Sequence, residues 1–180
     1  KAIAQESAFA LEYRIIDRQG RDRWVWESGS AVSNAEGEPQ WIDGVILDIT
    51  ETKLRNAEYE GTVAAIGRVM GVVEFDLQGT ILSANDNFLT LTGYREDELL
   101  GRPHRILCEA EYVQSEAYRE FWKVLRRGNF YAGEFMRLGK DGREVWIQAS
   151  YNPIFNADGK PSKVVKFATD ISARRQMEAD

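Results

Sequence analysis

Residues 142–172 have the sequence GREVWIQASYNPIFNADGKPSKVVKFATDIS, and residues 20–50 match them without a gap at ten of thirty-one positions, a constant offset of 122 residues. The matches concentrate at turns, at one tryptophan and at the end of the segment, where backbone geometry and packing restrict residue choice. They are Gly20/Gly142, Arg21/Arg143, Trp24/Trp146, Ser28/Ser150, Asn34/Asn156, Ala35/Ala157, Gly37/Gly159, Pro39/Pro161, Asp48/Asp170 and Ile49/Ile171. A gapless match indicates an internal repeat more readily than chance or shared composition.

Both copies have the pattern of three antiparallel strands separated by short polar turns. In the first copy the β-rich runs are 8–17, 21–33 and 41–49. In the second copy they are 133–138, 144–155 and 163–171. Two further short runs, 72–77 and 80–84, flank Gln78-Gly79 and complete a five-stranded sheet in the second copy only. We therefore expect the first copy to be part of a unit and the second to be a whole one.

Helices are predicted between the strands of the second copy, at 87–92, at 95–100 and over a longer stretch at about 114–127. In the longer stretch, residues at spacings of three and four form one apolar stripe. The stripe consists of Tyr118, Phe121, Trp122 and Leu125. This face is expected to pack on the sheet.

A connecting helix is predicted at 51–70, because the segment lacks proline, is rich in Glu, Lys, Arg and Ala, and follows Thr50, a favourable N-cap residue. A narrow seam along it suits pairing with a second copy of the chain, and a solvated spacer helix is the alternative. The seam residues are Leu54, Ala57, Gly61, Ala64 and Arg68. Residues 173–180, after Ser172, should begin a second helix of the same kind.

Composition narrows the class of protein. A chain of 180 residues with 43% hydrophobic residues can build one small domain and a fragment. The net charge of −6 argues against nucleic-acid binding, since such proteins usually carry a basic stripe. The single Cys108 and the lack of a signal-type start or a membrane-spanning apolar run favour a cytoplasmic setting without membrane contact by this segment.

The order of elements and a set of short motifs resemble the PAS sensor domain family. The motifs are Phe75-Asp76, Gly79, Asn85-Asp86-Asn87-Phe88, Leu91-Thr92-Gly93-Tyr94, Glu98-Leu99-Leu100-Gly101-Arg102, Lys140-Asp141-Gly142 and Asp170-Ile171-Ser172. The resemblance implies an α+β PAS fold, a five-stranded antiparallel sheet with helices on one face, preceded by a partial, three-stranded PAS and a connecting helix. The expected division is 1–50, 51–70, 71–172 and 173–180.

Within the family, the segment after Gly101 is similar to PAS domains of bacterial aerotaxis and chemotaxis receptors, which often hold FAD. Trp122 matches the flavin-site tryptophan of that subgroup, whereas residues 108–111 depart from its acidic-and-histidine stretch. The cofactor-binding residues implied by the resemblance are Asn85, His104, Trp122, Arg137 and Tyr151. Haem is the alternative cofactor, although the long helix contains none of the axial histidines common in haem-binding members.

The light-sensing chemistry of related flavin domains is not expected. Their adduct-forming thiol lies where this chain has Pro103-His104, and their flavin-amide positions correspond to Arg137, Ile147 and Ala168. Cys108 is predicted to be a small buried apolar group. For His104 three roles stay open: a metal or haem ligand, a hydrogen bond at a flavin edge or within the loop, and ordinary surface or loop packing.

Alternation along 143–155 predicts that Ile147, Ala149 and Tyr151 face the pocket and that Trp146 lies on the outer face of the sheet, as Trp24 does in the first copy. An exposed tryptophan is costly to leave in water. We therefore expect a flanking helix or a second chain to cover it, and a homodimer is the predicted assembly.

The expected function is signal sensing. A ligand or redox cofactor in the second copy would bias its sheet, and the helix after Asp170 would carry the change to an output domain of receptor, kinase or cyclase type. Asp48 and Asp170 lie at the two strand-to-helix junctions and are the predicted signal-coupling residues. The alternative is a ligand-free scaffold whose pocket is filled by Phe88, Leu91, Phe121, Leu125 and Tyr151. No catalytic cluster or metal site is predicted.

Overall fold

The computed structural model describes residues 8–179, and the chain divides between Val63 and Ala64 into two units. The first unit contains a three-stranded antiparallel sheet in the order β1-β2-β3. Its strands are β1 (Phe9–Ile16), β2 (Asp22–Ser33) and β3 (Pro39–Asp48). Helix α1 (Thr50–Gly67) follows and continues past the division.

The second unit contains a five-stranded antiparallel sheet in the order β5-β4-β8-β7-β6, as predicted. Its strands are β4 (Gly71–Phe75), β5 (Ile81–Ala84), β6 (Tyr131–Leu138), β7 (Glu144–Phe155) and β8 (Pro161–Asp170). Its helices are α2 (Asp86–Thr92), α3 (Glu96–Leu99), a 3₁₀ helix (His104–Leu107), α4 (Ala110–Gln114), α5 (Glu116–Arg126) and α6 (Ser172–Ala179). The expected α+β fold with five strands is confirmed.

The two copies of the repeat share their strand register. Val25 pairs with Asp48 in the first sheet, and Ile147 pairs with Asp170 in the second, at the same offset. The irregularity between Val32 and Ser33 also recurs at the equivalent pair on β7. The matched residues therefore specify one three-stranded meander twice.

The turn between the last two strands explains why Asn and Gly recur in both copies. The side-chain oxygen of Asn34 accepts backbone N–H bonds from Glu36 and Glu38, and Asn156 does the same in the second copy. Gly37 has a φ of +80°, a conformation that side chains disfavour. Each turn thus depends on an asparagine that replaces missing backbone bonds and a glycine that permits the reversal.

The core of the second unit lies between the sheet and helices α2 to α5. Ile147, Ala149 and Tyr151 are buried there, which confirms the predicted alternation of β7. The apolar stripe of α5 is also confirmed, because Phe121, Trp122 and Leu125 on it are buried. The helix begins later than predicted, since the Ser115 hydroxyl accepts the Tyr118 N–H and caps it there, and α4 precedes it as a separate turn.

The first unit leaves apolar surface uncovered. Every residue of β3 is exposed, including Trp41 and Ile46, which are 58% and 60% exposed. Helix α1 buries none of its side chains, and Leu54 is 65% exposed. Pairing of this helix with a second copy stays a prediction.

Candidate functional site

A hydrogen-bonded chain of four side chains crosses the core of the second unit. Arg137 on β6 donates through Nη2 to the Tyr151 hydroxyl at 3.1 Å, and that hydroxyl lies 3.1 Å from His104 Nε2. His104 Nδ1 lies 3.2 Å from the hydroxyl of Tyr118 on α5. Because Tyr151 accepts from Arg137, its own proton can donate to Nε2, which leaves the imidazole proton on Nδ1, facing Tyr118.

Burial sets the charge states along this chain. His104 is fully buried, and this burial, aided by the charges of Arg137 and Lys166, holds its pKa well below the ordinary value. Burial raises the pKa of Tyr151 to about 12, although Arg137 opposes the shift. At neutral pH the four hydrogen-bonded side chains are therefore one cationic guanidinium and three uncharged groups.

Aromatic rings pack around His104 and the side chains hydrogen-bonded to it. The Phe121 and Tyr151 rings lie 4.8 Å apart at 88°, and Trp122 approaches the imidazole edge-on at 5.5 Å. Phe75 makes a second edge contact with His104 at 5.4 Å. The interior is thus an aromatic box, and the hydrogen-bonded side chains place a line of polar atoms through it.

Two basic side chains are buried in this unit without a carboxylate partner among the described residues. Lys166 on β8 is 0% exposed, and its Nζ has no hydrogen-bond partner among the described residues. It lies 4.9 Å from the ring centre of Phe88 and 5.1 Å from that of Tyr151. Arg137 is 3% exposed and lies over Phe135 at 4.8 Å. No Asp or Glu is among the buried residues that the structure describes.

The predicted cofactor-binding residues are brought together with one exception. His104, Trp122, Arg137 and Tyr151 share the aromatic box, and the interpretation of His104 as a surface residue is wrong. Asn85 instead caps α2, since its side-chain oxygen accepts from the N–H groups of Val72 and Phe88.

Sequence reasoning missed Lys166. A signal existed, because Ala168 was placed in the pocket by the resemblance and Lys166 lies two residues before it on the same strand face. Strand alternation alone therefore predicts an inward lysine at this position.

Cys108 is buried as expected. Burial raises the pKa of its thiol, which keeps it protonated and poorly nucleophilic at neutral pH. Its sulfur lies 3.7 Å from His104 Nδ1. Cys108 acts as a packing residue beside the hydrogen-bonded side chains.

Two cavities adjoin the aromatic box. The first, of about 360 Å³, lies along β6 and has Arg137, Phe135 and Trp146 in its lining. The second, of about 590 Å³, opens beside α5 and includes His104 and Trp122. Both ends of the hydrogen-bonded chain thus border space that a small molecule can enter.

The strand-to-helix junctions of the two units have the same hydrogen bonds. Asp48 accepts the N–H of Thr50 at 2.9 Å, and Asp170 accepts that of Ser172 at 2.8 Å. The hydroxyls of Thr50 and Ser172 accept the N–H groups of Trp24 and Trp146, respectively. The expectation that Thr50 is an N-cap is wrong, because the helix begins at Thr50 and its hydroxyl holds the sheet.

A second set of contacts, which we call the clasp, holds each helix to its sheet. In the second unit Arg175 lies 4.5 Å from the Trp146 ring centre and 2.7 Å from Glu134. In the first unit Lys53 lies 5.3 Å from the Trp24 ring centre and 2.5 Å from Glu12. A flanking helix therefore covers Trp146, one of the two predicted alternatives.

The clasp residues keep the repeat offset, which sequence reasoning did not use. Glu12 and Glu134 are identical residues 122 positions apart, and Lys53 and Arg175 are cations at the same spacing. Extending the alignment beyond residues 20–50 in both directions reveals both pairs.

Comparison with known proteins gives a match to the model of the PAS fold over residues 1–46 and 81–168, one segment in each unit. The biofilm dispersion protein BdlA of Pseudomonas aeruginosa is 53% identical over 96% of this chain and 42% of its own length. The aerotaxis receptor of Escherichia coli is 31% identical over 52% of this chain and 18% of its own length. The chain spans less than half of each relative.

A solved structure has a similar fold over about two thirds of this chain. It is the PAS domain of a protein from Colwellia psychrerythraea, with a TM-score of 0.57 and 26% identity, covering 64% of this chain and 98% of that one. Among residues 8–179, no helix combines the length and apolarity needed to cross a bilayer.

Proposed function

Because this chain belongs to the PAS-fold family, we propose that it is the sensory part of a bacterial signalling protein. In this proposal the second unit binds a small ligand or redox cofactor, and α6 passes the resulting change to an output domain. The similarity to a biofilm dispersion protein and an aerotaxis receptor supports a role in signalling.

The observation that carries the proposal is the pair of buried basic side chains, Arg137 and Lys166. Arginine side chains stay protonated in proteins, so Arg137 is a buried charge. Burial of a charge without a partner is costly. A purely structural core has no need for Arg137 and Lys166, because apolar residues would pack there at lower cost. Arg137 lines a cavity, and its position there favours a ligand that supplies the missing hydrogen-bond acceptors.

The signal would pass along strands that carry both site and junction. Tyr151 lies on β7, and Lys166 lies on β8, which ends at Asp170. A ligand that binds more tightly when these strands are in one position than in another would shift the Asp170 carboxylate, which accepts a hydrogen bond from the start of α6. Equal affinity for the two positions would transmit nothing.

Flavin is the cofactor implied by the resemblance, and the residues fit it in part. Arg137 can donate to a flavin oxygen, and the rings around His104 offer stacking surface. Ile147 and Ala168, at the other two amide-contact positions, have no hydrogen-bonding side chain. Bound flavin would supply electron transfer, and the chain's own part would be to hold and desolvate the ring.

An absorption spectrum and mass spectrometry of molecules extracted from the freshly purified chain test the proposal. Bands near 450 nm indicate flavin and a Soret band indicates haem. A colourless extracted molecule in stoichiometric amount also supports a sensor. A pure chain with neither absorbance nor an extracted molecule, and with no small-molecule binding, would contradict it.

A ligand-free scaffold is the second candidate, and one observation favours it. The side chains expected to fill the pocket in that case are buried to 2% exposure or less at Phe88, Phe121, Leu125 and Tyr151. If so, the whole chain would act through dimerisation, using the uncovered apolar surface of β3 and α1. Light scattering of the purified chain distinguishes the two, since a stable monomer argues against the scaffold.

A further inference from the structure

The cavity along β6 is lined by aromatic side chains and by the guanidinium of Arg137. Its volume is about 360 Å³, and its lining includes the rings of Tyr112, Tyr131, Phe135 and Trp146. Arg137 lines it too, with its guanidinium between the rings of Phe135 and Tyr112, 4.8 and 5.8 Å away. A cavity of this size holds a molecule of one or two fused rings.

Arg137 has unused capacity for an anion. Its Nη1 donates to the backbone oxygen of Met136 at 2.8 Å and its Nη2 to Tyr151. Its Nε has no partner among the described residues, and no described carboxylate lies within ion-pair distance of the guanidinium. A buried guanidinium in this state favours a negatively charged group, which would form charge-assisted hydrogen bonds.

Lys166 is a second buried basic group in this interior. Burial, and to a smaller extent the charge of Arg137, holds the pKa of Lys166 well below its ordinary value. An anion beside Arg137 would reduce this repulsion.

Two carboxylates at the cavity limit how much negative charge it accepts. Glu109 is exposed, and Glu134 is held by Arg174 and Arg175. A second negative charge on a ligand would lie among these acidic groups. The lining therefore favours a single charge on an apolar body.

We propose that the ligand of the second unit is an aromatic monoanion, such as an aromatic carboxylate, bound in the cavity along β6 with its charged group on Arg137. This proposal rests on the sensor function above and adds the chemical class and position of the ligand. The position matters because Glu134 and Trp146, which line the cavity, also form the clasp on α6. Occupancy would thus act directly on the residues that hold the output helix.

Calorimetric titration of the whole chain with naphthoate tests the proposal, with naphthamide as the neutral probe of the same shape. Naphthoate should bind at least about tenfold more tightly than naphthamide. Arg137→Gln should weaken naphthoate binding about tenfold or more and change naphthamide binding by less than about twofold. Arg127→Gln is the matched control, because Arg127 is exposed at the end of α5 and pairs with Glu120.

Two measurements keep the test independent of folding defects. The comparison of the two probes needs only the unaltered chain, and Arg137→Lys should restore part of the preference for naphthoate because it keeps the charge. Hydrogen exchange of α6 should change on adding naphthoate and should not change on adding inorganic phosphate, which lacks the apolar body.

The outcomes separate this inference from the sensor function. Equal affinity for naphthoate and naphthamide, or unchanged naphthoate binding in Arg137→Gln, would overturn the inference. A co-purified neutral molecule, with no response to naphthoate, would overturn it while leaving the sensor function in place. Absence of binding by both probes and of any extracted molecule would overturn both.

Discussion

The guanidinium carbon of Arg175 lies 4.5 Å from the centre of the Trp146 ring, so the first turn of α6 is fixed on the outer face of the second sheet. Glu134 on the neighbouring strand pairs with the same arginine. The two contacts connect β6, β7 and α6 at a single point, which is where a change in the sheet would reach the helix.

Arg175→Gln should loosen α6 without affecting the core. An exposed cation–π contact contributes about 0.5–1 kcal/mol and a surface ion pair about 0–1 kcal/mol. Amide hydrogen exchange in α6 should therefore accelerate about two- to thirtyfold, while exchange in β7 and β8 stays the same. Lys53→Gln is the parallel variant in the first unit and should accelerate the first turn of α1 only. Unchanged exchange in α6 would contradict a role for the clasp.

Asp170→Ala should leave the fold intact and weaken the start of α6. The carboxylate accepts the N–H of Ser172, and loss of a capping acceptor typically costs about 1 kcal/mol. Any ligand-dependent change in α6 protection should disappear in this variant, as measured by hydrogen exchange with and without ligand. If the ligand response persists at full size, Asp170 does not couple the sheet to the helix.

Lys166→Met should stabilise the second unit by about 1–3 kcal/mol near neutral pH. The folded-state pKa of Lys166 lies below the value of 10.5 that applies when unfolded, because burial disfavours its charge. Between these two values the unfolded chain binds a proton that the folded chain does not, so the stability of the natural chain rises with pH. The advantage of the methionine should therefore shrink as pH approaches 10.5 and vanish above it.

Urea unfolding from about pH 7 to about pH 10 measures this trend. The raised pKa values of Cys108 and Tyr151 are common to both proteins and cancel in the difference. Lys163→Met is the control, since Lys163 is partly exposed and pairs with Glu74. An advantage for Lys166→Met that does not vary with pH would show that the lysine is neither buried nor shifted in solution.

Gly79→Ala should destabilise the second unit far more than Gly142→Ala. Both glycines have positive φ, +85° and +80°, so each substitution carries about 1–2 kcal/mol of backbone strain. A Cβ at Gly79 would also lie 2.7 Å from the Trp122 ring, whereas a Cβ at Gly142 meets nothing within 4 Å. We expect an additional loss of about 1–3 kcal/mol at Gly79, measured by denaturant unfolding. Equal losses would show that Trp122 does not pack on this turn.

The meander was predictable from sequence because its determinants are local. Asn34 and Asn156 complete their own turns, and the alternation of Ile147, Ala149 and Tyr151 follows from strand geometry. Such features need no knowledge of distant contacts, so the strands and the buried face of β7 agree with expectation.

The interior of the site was less predictable because it depends on which loops and strands meet. His104 and Tyr151 are 47 residues apart in sequence, and no local pattern indicates their hydrogen bond. Asn85 lies in a motif associated with the cofactor site, yet its four side-chain hydrogen bonds go to backbone atoms of Gly67, Met70, Val72 and Phe88. The burial of Lys166 also contradicts residue preference, which places lysine at the surface.

Because the clasp is duplicated, the helices that follow the two sheets are attached to them by equivalent contacts. Since α1 follows the first sheet at Glu12, Trp24 and Lys53, and α6 follows the second at Glu134, Trp146 and Arg175, a gene that repeats one unit also repeats these contacts between sheet and helix. Duplication of a unit then lengthens the protein without new contacts between a sheet and the helix that follows it. Units with different interiors can be connected through the same contacts.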